Sequence, residues 1–378
     1  MIQSAYIHIP FCEHICHYCD FNKVFLKGQP VDEYVQALDK EMEMSVKKYP
    51  VRSLKTIFVG GGTPTSLNEQ QLFRLCESIN NRLPADSDFE FTFEANPGDL
   101  SLEKLKILKE SGVNRLSLGV QTFNDELLKR IGRVHRAKDV FETVEKAKTA
   151  GFENISIDLI YSLPGKTIAD FQESLKEAFT LDISHYSGYS LIIEPKTVFY
   201  NLMRKGKLMT PGEDAEAAMY ELLMEEMDKN GFRQYEISNF SKPGFESRHN
   251  LTYWNNEEYF GFGAGAHSYT DGWRRSNAGP LKKYLEHIEK GSLPVFEEHK
   301  VTLAEKMEEE MFLGLRKTKG VSIDVFSHKF GKDPMELFGK EIDGLIKKSL
   351  LNVSNGYIFL TKRGRLLGNE VFQSFLGV

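Results

Sequence analysis

Long apolar runs are missing from this chain. No stretch approaches the roughly 20 residues that cross a bilayer, and the N-terminus lacks the basic-then-apolar pattern of a signal peptide. Cysteine is scarce, at four in 378 residues, which excludes a disulfide scaffold. Charge of one sign is not in large excess. The 48 Lys and Arg against 54 Asp and Glu leave a net −6, which argues against a nucleic-acid surface over the whole molecule. Internal repeats and low-complexity tracts are also absent. What remains is an ordinary globular composition, long enough for one large α/β domain and a smaller one. Free thiols without an oxidising address point to the cytoplasm.

The few cysteines are not scattered. Cys12, Cys16 and Cys19 stand in one run, Cys-x3-Cys-x2-Cys, just after the apolar stretch Ala5–Ile9. Thiolates at that spacing suit an iron–sulfur cluster, and three of them leave one iron of a cubane open to a small chelating molecule. A zinc site completed by His8, His14 or His17 is the competing reading. A c-type haem attachment is excluded, because Asp20 follows Cys19 where a histidine is required. The fourth cysteine, Cys76, lies in a helix-like stretch and reads as a buried apolar residue.

The first half alternates strand-like runs with helical periodicity, the pattern of a parallel sheet. Strands are expected at Ala5–Ile9, Thr56–Val59, Phe89–Glu94, Arg115–Val120, Ile155–Tyr161 and Tyr186–Ile193, with helices between them such as Asp32–Lys48 and Leu102–Glu110. Six βα units fit before about residue 232, an open relative of the eight-unit barrel. The chemically interesting residues then fall together. The cysteines follow the first strand, Gly60–Thr65 the second, and Glu94-Ala95-Asn96-Pro97 ends the third. Gln121 ends the fourth and Asp158 lies near the end of the fifth. Strand C-termini form the active face of such folds, so one pocket is expected.

Residues 233–300 form a connecting segment, rich in aromatics, Gly and Asn and without clear helical period in its first part. Residues 301–378 read as a compact unit of helices followed by a hairpin, Leu350–Val353 and Tyr357–Leu360, resembling a winged helix. Its basic residues Lys347, Lys348, Lys362, Arg363 and Arg365 are offset by Glu308, Glu309 and Glu310, which favours a solvated face over DNA binding.

A glycine triplet permits close backbone approach to a ligand, or simply makes a tight turn. Beside a three-cysteine cluster, the turn can receive the amino group of a ligand on the open iron, and Arg133 can pair with its carboxylate. Glu94 and Asp158 can accept from ribose hydroxyls or a cationic ligand, or form strand-end salt bridges. Tyr6 and Tyr18 can pack against a purine or in the core. Gly261, Gly263 and Gly265 lack the strand–loop–helix context of a dinucleotide site. His267, which follows them, is either a turn histidine or a second haem ligand.

On these motifs the chain resembles, over nearly its whole length, the radical S-adenosylmethionine proteins of the coproporphyrinogen III oxidase-like family. The pieces that carry the resemblance are Tyr6–Cys12, Gly60–Thr65, Phe93–Pro97, Gly119-Val120-Gln121, Ile157–Tyr161 and Leu163-Pro164-Gly165. The resemblance implies an open six-unit partial TIM-type barrel with a C-terminal winged-helix-like α+β domain. It implies a 4Fe–4S cluster on Cys12, Cys16 and Cys19. It also implies S-adenosylmethionine contacts at Tyr6, Tyr18, Gly61, Gly62, Thr63, Glu94, Gln121, Arg133 and Asp158.

Two departures set the chain apart from the oxidases of that family. Their motif resembles Cys-x3-Cys-x2-Cys-x-Cys, whereas Phe21 stands here in the last position, and they carry a longer segment before the cluster. In addition, His249-Asn250-Leu251-Thr252-Tyr253-Trp254 resembles the H-N-x-x-Y-W signature of the HemW-type haem chaperones. That signature implies haem ligation by His249 with Tyr253 and Trp254 covering the macrocycle, against the plain alternative of a hydrogen-bonded loop histidine. The implied partners are haem and a haem-accepting protein, with transient contact to a membrane protein, no nucleic acid, and a monomer or dimer. Oxidative decarboxylation of coproporphyrinogen III is the alternative function, and it is not expected of this chain.

Overall fold

The computed structural model describes residues 2–377. Six strands lie side by side and parallel: β1 Ser4–Ile9, β2 Leu54–Gly61, β3 Ala85–Ala95, β4 Arg115–Gln121, β5 Asn154–Ile160 and β6 His185–Tyr189. Parallel pairing requires covered crossovers, and the intervening segments are helical. Val31–Lys48 carries Tyr34, Val35, Leu38 and Met42 buried at helical spacing. Glu69–Arg82 starts at a capping box formed by Asn68 and Gln71. Leu102–Glu110 is followed by Gly112 in the left-handed region, at φ 92°.

The connecting residues do not hang beside this sheet but extend it at both edges. β7 Arg233–Glu236 and β8 Asn239–Ser241 add antiparallel strands beyond β6, with β8 next to it. At the other edge, β9 Tyr259–Phe262 runs parallel to β1, and β10 His267–Thr270, β11 Trp273–Asn277 and β12 Val295–Lys300 continue antiparallel. The result is an open, mixed sheet of 12 strands in the order β12-β11-β10-β9-β1-β2-β3-β4-β5-β6-β8-β7. Two expectations change here. The sixth strand stops at Tyr189 rather than Ile193. The reason is local, because the Leu191 amide donates to the Ser162 hydroxyl at 2.8 Å instead of to a neighbouring strand. The connecting segment also contains a helix, Arg248–Trp254, started by Ser247, whose hydroxyl accepts from the Asn250 amide.

A second apolar core, built on Met311, Leu315, Phe326, Phe338, Ile342, Ile358 and Phe375, belongs to the C-terminal helices and to a three-stranded sheet of β13 Val321–Ser322, β14 Leu351–Ser354 and β15 Tyr357–Leu360. Its acidic residues do not all face solvent as the sequence suggests. Glu309 holds Arg274 through two hydrogen bonds, at 2.6 and 2.8 Å, and Glu310 pairs with Lys329. Of the basic residues, Lys348 and Lys362 pair with Glu370 and Glu225. Among the described residues, no helix is long and apolar enough to cross a membrane.

Candidate functional site

The cysteine loop is closed at its base. Phe11–Cys12 and Val24–Phe25 form a short parallel ladder, with the Val24 amide donating to the Pro10 carbonyl and the Leu26 amide to the Cys12 carbonyl, at 2.7 and 2.9 Å. Between these anchors the loop sits over the C-terminal ends of the strands. Cys12, Cys16 and Cys19 all line one cavity of about 390 Å3. Burial pushes the Cys12 thiol up to about 11, with Cys19 and Cys16 adding to the effect as near neighbours, while Thr63 donates to its sulfur at 3.7 Å. Among the described residues no three His, Cys, Asp or Glu side chains converge tightly around a single ion. Three free cysteine sulfurs thus border one cavity, the donor type that iron–sulfur clusters use.

Gly61, Gly62, Thr63, Glu94, Gln121, Arg133, Asp158 and Tyr18 line the same cavity. The glycine turn is held by its own donors: Gly61 N–H to Glu94 at 3.0 Å, Gly62 N–H to the Ile9 carbonyl and Thr63 N–H to the Phe11 carbonyl, both at 2.8 Å. The acceptors the turn offers an ammonium group are its carbonyl oxygens and the neighbouring Glu94 carboxylate. Side chains are excluded for steric reasons too, since a Cβ on Gly61, at φ 114°, would lie 2.4 Å from the His8 ring. Gln121 ends β4 in the left-handed region at φ 68°, a conformation costing about 1 kcal/mol or more in a non-glycine residue.

Charge is concentrated at this end of the sheet. Burial raises the Glu94 carboxyl to about 7, and Asp158 adds to the rise while the Gly61 amide opposes it. Burial likewise raises Asp158, against hydrogen bonds from Ser187 and Ser117 and the charges of Arg115 and Arg133. Arg133 donates to the Cys16 sulfur at 3.4 Å and to the Gly119 carbonyl, which leaves its Nε buried without a partner. The arrangement suits a zwitterionic, partly cationic ligand. The sequence reading missed Tyr189, Ser190, Leu191 and Ile192, which also line the cavity; their signal was their position at the end of the sixth strand and just beyond it.

Tyr6 is absent from this lining. It lies one layer behind, where its hydroxyl meets His8 Nδ1 at 3.0 Å and its ring stacks on Phe58. Tyr6 thereby supports His8, which in turn packs on Gly61.

The segment expected to hold haem lies on the short helix Arg248–Trp254, packed against the sheet. His249 is 1% exposed and stacked on Phe58. Its Nδ1 is hydrogen-bonded to the Thr56 hydroxyl at 2.8 Å and its Nε2 to the Tyr253 hydroxyl at 2.8 Å. Burial lowers its pKa to about 3, so the ring is neutral, yet neither nitrogen is open to a metal in this conformation. Glu90 explains its rigidity, because this carboxylate accepts from the Arg248 and His249 amides at the start of the helix. Tyr253 lines a recess with Tyr6, Phe21 and Tyr259. Trp254 lies on the far side of Tyr253, under the Arg316 guanidinium at 4.4 Å.

Residues 6–178 match the model of the radical SAM superfamily, and residues 301–367 that of the HemN C-terminal domain. The chain is 58% identical, over 100% of both chains, to a protein of Bacillus subtilis (strain 168) named heme chaperone HemW. Proteins of the same name in Lactococcus lactis and Escherichia coli (strain K12) are 49% identical over 99% of this chain and 97% of that one, and 39% identical over 70% and 69%. Among solved structures, coproporphyrinogen III oxidase (HemN) from Escherichia coli shares the fold, with a TM-score of 0.87 at 24% identity over 99% of this chain and 90% of that one. On its full-length kinship at 58% identity, this chain belongs to the HemW family within the radical SAM superfamily.

Proposed function

We propose that this protein is a haem chaperone, which binds haem and passes it to an acceptor protein while keeping a 4Fe–4S cluster and an S-adenosylmethionine site. The observation that carries the reading is the full-length likeness to relatives named as haem chaperones. The site supports it. Phe21 replaces the cysteine found at that position in the resembling oxidases, and it shares a recess with Tyr253 of the H-N-x-x-Y-W segment. Fold likeness to an oxidase does not carry its chemistry with it.

Cys12, Cys16 and Cys19 hold the cluster, which when bound offers an open iron to the amino and carboxylate groups of S-adenosylmethionine. Arg133 supplies positive charge for the carboxylate. Glu94 and Asp158 accept hydrogen bonds, and a nearby sulfonium favours their ionised forms. Gly61, Gly62 and Thr63 keep the turn narrow, Gln121 holds the strand end, and Tyr18 closes the cavity beside the cysteines. Haem lies against the outward face of Tyr253, with Trp254 behind it. The thiols fit work in a reducing cytoplasm.

The test is a titration of the anaerobically reconstituted protein with hemin. A saturable Soret change near one haem per chain is expected. No saturable change would overturn the reading.

A further inference from the structure

Side chains two residues apart on a strand share a face. On β4, Leu116, Leu118 and Val120 point into the apolar core, so Arg115, Ser117 and Gly119 occupy the opposite, polar face. The register sets Arg115 beside Thr92 of β3. One step nearer the strand C-termini it sets Ser117 beside Glu94, and Gly119 stands opposite Asp158 of β5. Arg115 thus lies on the same face as both carboxyls of the cysteine cavity, one step below them.

Ser117, Glu94 and Asp158 line that cavity, and Arg115 lies beneath its floor. It is 2% exposed, and its Nε is occluded without a hydrogen-bond partner. A guanidinium buried in this way is costly unless opposite charge is close by. Glu90, the other carboxylate on that face of β3, is already engaged by the Arg248 and His249 amides. Glu94 and Asp158 are the charges that remain.

The need is mutual. Burial raises both carboxyls, Glu94 to about 7 with Asp158 adding to its rise, and the charge of Arg115 opposes the rise in each. Arg133 also acts on Asp158, but its guanidinium is engaged by Cys16 and the Gly119 carbonyl. Tyr6 and Tyr253 face Glu94, and Tyr189 faces Asp158; burial first, then these carboxyls, keeps the three phenols protonated. His185 and His249 lie near Arg115, and burial keeps both rings neutral. Neither histidine can take over its charge.

We infer that Arg115 is a positioning residue of the S-adenosylmethionine site, a counter-charge under the floor that keeps Glu94 and Asp158 ionised. In that form they accept from ribose hydroxyls more strongly and face the sulfonium as anions. The inference rests on the reading of this cavity as an S-adenosylmethionine site and adds the residue on which its charge balance depends.

The experiment is equilibrium dialysis of S-adenosylmethionine against the full, anaerobically reconstituted chain between pH 6 and pH 9, as wild type, Arg115→Gln and Arg115→Lys. Protonation of either carboxyl weakens binding, so affinity falls as pH drops, and loss of the cation raises the pH at which it falls. Arg115→Gln should move the fall upward by about one pH unit, binding about tenfold more weakly at the acid end and like wild type at the alkaline end. Arg115→Lys, which keeps the charge, should keep the wild-type profile. The ligand's own amino group titrates alike in all three and cancels in the comparison. Iron and sulfide content, measured on the same samples, reports folding. Should Arg115→Gln lose its iron, a double variant carrying Glu94→Gln as well, which removes a negative charge with the positive one, should regain it. An unchanged Arg115→Gln profile, an equal loss at every pH, a lysine variant that behaves like the glutamine one, or iron not regained in the double variant would overturn the inference and leave the site reading standing. A wild type that does not bind S-adenosylmethionine would overturn both.

Discussion

His249 Nε2 and the Tyr253 hydroxyl lie 2.8 Å apart on adjacent turns of one helix, and the opposite ring nitrogen meets Thr56 of β2. The imidazole thus bridges the helix to the sheet and fixes the tyrosine ring, whose centroid lies 4.7 Å from that of Tyr259. Removing it leaves two hydroxyls without a partner, one of them buried between helix and strand. His249→Ala is expected to lower unfolding free energy by about 2–4 kcal/mol, read from the urea midpoint at unchanged slope. A loss below about 0.5 kcal/mol would mean that the bridge is not formed.

Cys76 provides the contrast to the cluster cysteines. It is fully buried in the helix Glu69–Arg82, and burial raises its thiol to about 12, so it is neither exposed nor ionised. Cys76→Ser is expected to retain about four irons and four sulfides per chain after anaerobic reconstitution. Serine at Cys12, Cys16 or Cys19 is expected to lose most of that iron. Zinc replacing iron in the wild type would count against the cluster.

Gly61→Ala tests the turn. The new methyl must displace the His8 ring and occupy a left-handed backbone, a strain of about 1–2 kcal/mol. Affinity for S-adenosylmethionine, measured by equilibrium dialysis on the reconstituted protein, should fall about tenfold, with iron content retained. Unchanged affinity would place the ligand away from this turn.

Glu41 gives a pH dependence. This buried carboxyl accepts from Gly263 N–H, Asn277 Nδ2 and the Tyr284 hydroxyl, and Tyr34 is its other titratable neighbour. Burial raises its pKa from 4.5 to about 7, against those three hydrogen bonds. The folded state therefore holds a proton that the unfolded chain has released between those pH values. Stability from this group is fully present below pH 4.5 and is lost as pH rises through 7, an effect on the order of 3 kcal/mol. Glu94 contributes in the same direction. Glu41→Gln should flatten the slope of unfolding free energy between pH 5 and pH 8, measured by urea denaturation at each pH. An unchanged slope would remove Glu41 as its source.

Much of the main sheet was legible because most of its parallel strands carry dense apolar runs, and the special residues stand at or just after the ends of the first five. The cavity around the cysteines follows from that order. The surroundings of His249 were not legible. Its partner Thr56 is 193 residues away in sequence, and a seven-residue helix of mostly polar residues has no period to read. Ser247 was the available signal, a capping residue three positions before Asn250. The neighbours of Tyr6 were hidden for a related reason, since alternation along β1 does not say which neighbour covers each face. Glu309 and Glu310 look like a solvated run in sequence, yet they meet Arg274 and Lys329 at the join with the C-terminal unit.

The choice between haem carrier and porphyrinogen oxidase is tested most directly on one anaerobically reconstituted sample. It is titrated with hemin, then incubated with reductant, S-adenosylmethionine and coproporphyrinogen III and analysed by chromatography. Positioning of the reacting atoms is worth roughly 7–11 kcal/mol in well-oriented systems, and Phe21 stands where the oxidases of the resembling family place a fourth cysteine. Saturable hemin binding without protoporphyrinogen is the expected result. Catalytic protoporphyrinogen formation by protein that does not bind hemin would contradict the account.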